Sequence, residues 1–206
     1  MTPKANKSLS PSGNTYDKYN SKNPLFRFLI GRFLKNLKDA CFLAGTASNV
    51  LEVGCGEGYL LNYISNLKKF SRVEGIDRSA EIINKAKSLY PELSFAQKSV
   101  YSLDFRDNEF DLVLACEVLE HLEDYKKALA EIKRVTSQYV IVSVPVEPMW
   151  RIFNMLRGSY IMSFGNTPGH VQHWNTQSFS LILRQYFVVE KLWYPYPWQM
   201  ALCKKS

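Results

Sequence analysis

Two short stretches carry residue types at spacings that could do chemistry. The first is "ACEVLEHLED", which places Glu117, Glu120 and His121 at i, i+3 and i+4. A helix there would turn all three to one side. The sequence holds three histidines, and the other two, His170 and His173, lie close together in "GNTPGHVQHW". Two carboxylates and an imidazole can hold a divalent ion: glutamate oxygens suit magnesium or manganese, and imidazole adds affinity for manganese, iron or zinc. Such an ion could deprotonate and orient a substrate hydroxyl. The histidines could equally act as bases positioned by the glutamates. The plainest alternative is that the whole group only orders a loop.

The second stretch is "LEVGCGEGYL", residues 51–60. An apolar strand end runs into Gly54, Gly56 and Gly58 and then into a helix start. Loops of this kind hold nucleotides. The dinucleotide fingerprint G-x-G-x-x-G requires a third glycine where Tyr59 stands. Glu57 also lies at the helix mouth, where a carboxylate opposes a pyrophosphate. A ligand with an adenosine, a positive charge and no phosphate suits the loop better.

The elements that must position these residues follow from periodicity. Phe26, Leu29, Ile30, Phe33, Leu34, Leu37 and Ala40 recur at helical spacing, with Gly45 to close the helix. Strands are expected at "NVLEVG", "RVEGID", "LSFAQ", "FDLVLA" and "YVIVSVP". Helices are expected from Gly58 to Lys68, over "SAEIINKAKSLY" with Ser79 as cap, over "EDYKKALAEIKRV" and over "TQSFSLILRQYF". The alternation predicts an α/β fold, a mostly parallel sheet with helices on both faces. "VVEKLWYPYP" and "WQMALCKK" have only a turn between them, which suits a terminal antiparallel hairpin. In such a sheet ligands bind beyond the carboxyl ends of the strands, where the glycine loop sits.

"VLEVGCGEGYLL" closely resembles motif I of the class I S-adenosylmethionine-dependent methyltransferases, of the type 11/12 kind. The resemblance covers residues 49–145 and implies a Rossmann-like fold with a seven-stranded sheet. It implies that Glu52, Gly54, Gly56 and Gly58 surround the methionine moiety, that Asp77 holds the ribose hydroxyls, and that Arg78 flanks the adenine. A carboxylate suits the ribose because it accepts both hydroxyl protons. Where the family often has an acid after the third strand, this sequence has Ser99, so the adenine contact falls to Ser99 or the Val100 backbone. Cys116 and Glu117 would line the sulfonium end. The E-x-x-E-H run with a later histidine resembles small-RNA 2′-O-methyltransferases and ubiquinone-pathway O-methyltransferases. It implies a metal on Glu117, Glu120 and His121, or catalysis by His121, His170 or His173. Tyr16 and Tyr19 resemble an N-terminal lid.

The expected organisation is one methyltransferase domain over 1–206. It comprises a flexible tail at 1–14, a lid and helix at 15–45, and a substrate-covering insert at 146–175. Residues 149–164 are too apolar and aromatic to lie in water, so they must cover core, acceptor pocket or membrane; the pocket is the expectation. The net charge of +7 permits an anionic partner without requiring one. Four cysteines without a C-x-x-C pair read as reduced thiols. With no long apolar run and no signal-like N-terminus, the expected location is cytoplasmic. The expected activity is transfer of a methyl group from S-adenosylmethionine to oxygen of a small-molecule acceptor, leaving S-adenosylhomocysteine. RNA is the alternative acceptor, an apolar or membrane-associated acceptor is a further one, and a non-catalytic cofactor binder is the remaining reading. No specific protein partner is implied.

Overall fold

The computed structural model describes residues 22–206 apart from 157 and 159. The tail at 1–14 and the two lid tyrosines, Tyr16 and Tyr19, lie outside the described residues. Helix α1 spans Pro24–Leu43. Asn23 opens it by accepting from the Leu25 N–H at 2.9 Å, and Pro24 sits where a missing N–H costs nothing. Its stripe of Leu29, Ile30, Phe33, Leu37, Ala40 and Cys41 is buried.

The core alternates strand and helix: β1 (Asn49–Val53), α2 (Tyr59–Ser65), β2 (Arg72–Asp77), α3 (Ala80–Leu89), β3 (Ser94–Gln97) and β4 (Phe110–Cys116). Helix α4 (Tyr125–Val135) and β5 (Thr136–Pro145) follow, then α5 (Met149–Leu156), α6 (Thr176–Leu183), β6 (Phe187–Trp193) and β7 (Trp198–Lys205). Single 3₁₀ turns occupy Leu119–His121 and Ile161–Ser163. The seven strands lie in the order β3-β2-β1-β4-β5-β7-β6. All neighbours are parallel except at β7, which runs antiparallel to both β5 and β6.

Strand period sorts the side chains onto two faces. Val50, Leu112, Leu114, Ile141 and Leu202 meet α1, α2 and α3 on one side. Leu51, Val53, Val113, Val140, Val142 and Ala201 meet α4 and α6 on the other. Strand order reverses at β1, whose neighbours are β2 and β4, so their carboxyl ends open a crevice there. Arg134 of α4 braces the approach to β4. Its guanidinium donates to Glu131, Asp107 and the carbonyls of Leu103 and Phe105. Helix α2 ends at Ser65, short of the expected Lys68, because Asn66 caps it and the chain turns toward β2. Helix α6 stops at Leu183 rather than Phe187, because Phe187 is already paired with Lys205 in the sheet. Among the described residues, no helix is long and apolar enough to cross a membrane.

Candidate active site

The loop after β1 carries Gly54, Gly56 and Gly58 at φ +65°, +54° and +82°. All three angles lie in the left-handed region, where a side chain is strained. Their surroundings differ. A Cβ on Gly54 would stand 2.5 Å from Val118 Cγ2, and one on Gly58 would stand 2.6 Å from Phe95 Cζ. A Cβ on Gly56 would meet no atom within 4 Å. Gly54 and Gly58 therefore serve close packing, and Gly56 presents the open backbone of the crevice.

Asp77, at the end of β2, ties the two nucleotide-side loops together. Its Oδ2 accepts from the Gly56 N–H at 3.2 Å and its Oδ1 from the Ser79 N–H at 2.9 Å. Each oxygen keeps a second lone pair for a ligand hydroxyl. Glu57 is paired with Lys85 of α3 at 2.7 Å, so its charge is largely answered within the protein. The misplaced third glycine, rather than repulsion by Glu57, is thus the stronger mark against a pyrophosphate. Arg78 is exposed, and its carbonyl accepts from Gln97 Nε2. Ser99 is exposed after β3, its hydroxyl accepting from the Tyr101 N–H, with half-buried Val100 beside it.

Glu52 is buried in β1, 2% exposed. Cys116 is buried at the end of β4. Burial first, and the Glu52 charge second, push its thiol well above the ordinary range. Glu117 follows with φ +60°, its N–H donating to the Ser143 carbonyl of β5 and its Oε1 accepting from Ser143 Oγ at 3.2 Å. That geometry corrects the shared helical face drawn for Glu117, Glu120 and His121. A left-handed residue cannot continue a helix, and the 3₁₀ turn begins only at Leu119.

The histidines divide as well. Glu120, His121 and His170 each offer a ligand atom, and those atoms all lie within 4.8 Å of one another. Backbone bonds bring the late loop in: the N–H groups of Val171 and Gln172 both donate to the Glu120 carbonyl. His121 Nδ1 lies 3.0 Å from the Gly169 carbonyl. A carbonyl can only accept, so Nδ1 carries a proton. The His121 and His170 rings meet edge to face at 4.8 Å. Trp150 stacks on His170 at 6.1 Å, and its indole N–H donates to Thr167 Oγ1. One carboxylate and two imidazoles suit manganese, iron or zinc, and the Gly169 carbonyl orients His121 as a metal-bound imidazole requires.

Glu117 is not among those three, and His173 stands apart with Glu147 and Arg151. Its Nδ1 lies 3.5 Å from Glu147 Oε1, and its Nε2 lies 2.9 Å from Arg151 Nη2. Sequence reasoning overlooked the support beneath the cluster. Buried Asn154 donates to the Gly165 carbonyl and to Thr167, and a Cβ on Gly165 would overlap the Arg151 carbonyl. Gly165 is thus a point of close backbone packing. Its signal was present as a lone glycine after an apolar helix.

Residues 51–142 match the family model described as a methyltransferase domain. An uncharacterized methyltransferase of Schizosaccharomyces pombe is 37% identical over 98 residues, covering 42% of this chain and 35% of that protein. The mitochondrial ubiquinone biosynthesis O-methyltransferase of Candida albicans is 34% identical over 103 residues, 46% of this chain and 31% of that protein. The matched stretch thus spans about a third of the length of these curated relatives. The magnesium protoporphyrin IX methyltransferase of Synechocystis PCC 6803, solved with bound S-adenosylhomocysteine, superposes with a TM-score of 0.67 at 16% identity. That superposition covers 90% of this chain and 89% of that one. With its sheet order, its glycine loop and a methyltransferase-domain match over residues 51–142, the chain has the fold of the class I S-adenosylmethionine-dependent methyltransferases.

Proposed function

We propose that this protein moves the methyl group of S-adenosylmethionine to an oxygen of a small-molecule acceptor. The cofactor supplies an electrophilic methyl on a sulfonium. Asp77 would hold its ribose, with Arg78, Ser99 and Val100 around the adenine. The open backbone at Gly56 would admit its amino-acid end, and buried Glu52 and half-buried Glu117 would answer its positive charge. Cys116 would lie beside that charge as a protonated thiol, and so would not compete with the acceptor for the methyl group.

The observation that carries the oxygen reading is the Glu120, His121 and His170 cluster at the carboxyl edge of the sheet. A hydroxyl attacks well only after its proton has somewhere to go. His121 would take that proton, with the ring held by the Gly169 carbonyl. The same three residues fit a divalent ion, which would supply a Lewis acid to lower the hydroxyl's pKa.

Calorimetry separates the parts. The protein should bind S-adenosylmethionine and S-adenosylhomocysteine but not NAD. Asp77→Ala should weaken binding by about 1.5–3 kcal/mol, the range for hydrogen bonds to a charged group. Unchanged affinity would end this reading of the loop. Chelation should abolish transfer without loosening the cofactor, and manganese should restore it in the parent but not in Glu120→Ala. If chelation changes nothing, the cluster works as a base without metal.

A further inference from the structure

Charge and apolar exposure are concentrated on one side of the molecule. Residues 22–43 hold five lysines and arginines against one aspartate, a net of +4 out of +7 for the whole chain. Lys22 just before α1 and Arg27, Arg32, Lys35 and Lys38 on it are exposed, and the single acid, Asp39, pairs with Lys35. Between these cations α1 leaves Leu25 and Phe28 more than half exposed. Its amino-terminal end packs on α5 through Phe26 and Phe153, ring centroids 6.1 Å apart. The outer side of α5 and the turn after it expose Leu156 at 82%, Met162 at 95% and Phe164 at 78%. On the same side, the β6–β7 turn stacks Tyr194 on Tyr196, and Arg32 donates to the Tyr194 carbonyl. That turn lies at the carboxyl edge of β5, where Pro145 pairs with Trp198.

From these features we infer that this side docks on an anionic lipid bilayer. The α1 cations rest against the headgroups, and Leu156, Met162 and Phe164 dip into the acyl boundary. Cations flanking an apolar face with tyrosines at its rim is the composition that an anionic interface attracts. Residues 1–21 offer only Met1, Leu9, Tyr16 and Tyr19 as large apolar side chains, too few to cover the patch. A second copy would bring +4 against +4 across a self-complementary contact. RNA would answer the charge and could stack on Phe28 or Phe164, but it would leave the two most exposed side chains, Met162 and Leu156, without an apolar partner. The surface borders the site at the edge where an acceptor enters, so an acceptor dissolved in lipid would meet the cluster without crossing water. The docking itself does not rest on methyl transfer.

Sedimentation of the full chain with vesicles tests it. Vesicles of phosphatidylcholine alone should leave the protein in solution, and replacing a third of the lipid with phosphatidylglycerol should bring it down at low salt. Raising the salt should release much of it, because the headgroup attraction is screened. Leu156→Glu with Met162→Glu alters only exposed positions, so circular dichroism should be unchanged while partitioning falls about tenfold or more. Arg27→Glu should weaken binding to the anionic vesicles and do nothing with neutral ones. Three results would overturn the inference. One is no binding to anionic vesicles. Another is binding indifferent to the Leu156 and Met162 changes. The third is binding of an unstructured RNA or self-association in place of vesicle binding.

Discussion

Gly54 and Gly56 have nearly the same backbone angles and different duties. The crevice side of Gly54 is filled by Val118, so Gly54→Ala should act on stability. The overlap and the left-handed angle together should cost about 1–3 kcal/mol. Val118→Ala in the same chain should recover part of it. Gly56→Ala meets no neighbour, so it should keep most of the stability and lose cofactor affinity instead. Thermal denaturation and calorimetry on the two variants read these outcomes separately. A Gly54→Ala protein of parental stability would show that Val118 yields freely and that the packing argument is wrong. The place of Asp77, ending the second strand and bonded to the glycine loop, was legible in sequence. The choice of His170 over His173 was not. The two are three residues apart in a loop, and what selects one is the pair of backbone bonds from Val171 and Gln172 to the Glu120 carbonyl. No local pattern encodes a contact across that separation.

Elements were legible where burial is uniform along them. The apolar runs of β1, β4 and β5 and the stripe of α1 announce their own geometry, because each must hide one face or both. The turn at Glu117 is different, since a positive φ at glutamate is imposed by Ser143 on the neighbouring strand. The start of β4 depends on another such tie. Asp111 Oδ2 accepts from the N–H groups of Ser48 and Asn49, both at 2.9 Å, and its Oδ1 accepts from Ser137 Oγ. Partial burial works against its charge, but those donors prevail and hold the carboxyl below the usual range. A folded pKa below the unfolded value of about 3.9 stabilises the fold fully above that pH. The contribution is lost as pH falls through the lower, folded value. Asp111→Asn turns an amide N–H toward donors and should cost about 1 kcal/mol at neutral pH, with solvent screening allowed for. The gap to the parent in urea melts should close on acidification. A gap that stays constant from neutral pH into acid would assign the loss to shape rather than charge.

At the scale of the molecule, all four cysteines are buried, so thiol chemistry reports on the whole fold. Burial pushes Cys41 and Cys203 up to about 12, and Cys55 and Cys116 rise as well. A thiol-specific reagent at neutral pH should therefore label the native protein slowly and all four sites together once denaturant unfolds it. One thiol reacting far ahead of the rest would reveal an opening confined to its own element. The sheet order has a further consequence, in time rather than in space. A ribosome delivers β6 before β7, yet among the described residues β6 bonds to the sheet only through β7, which lies between it and β5. The glycine loop and the parallel strands around it can therefore assemble on the nascent chain while β5 is still an open edge. Strand β7, synthesised after β6, closes that edge and brings β6 into the sheet with it.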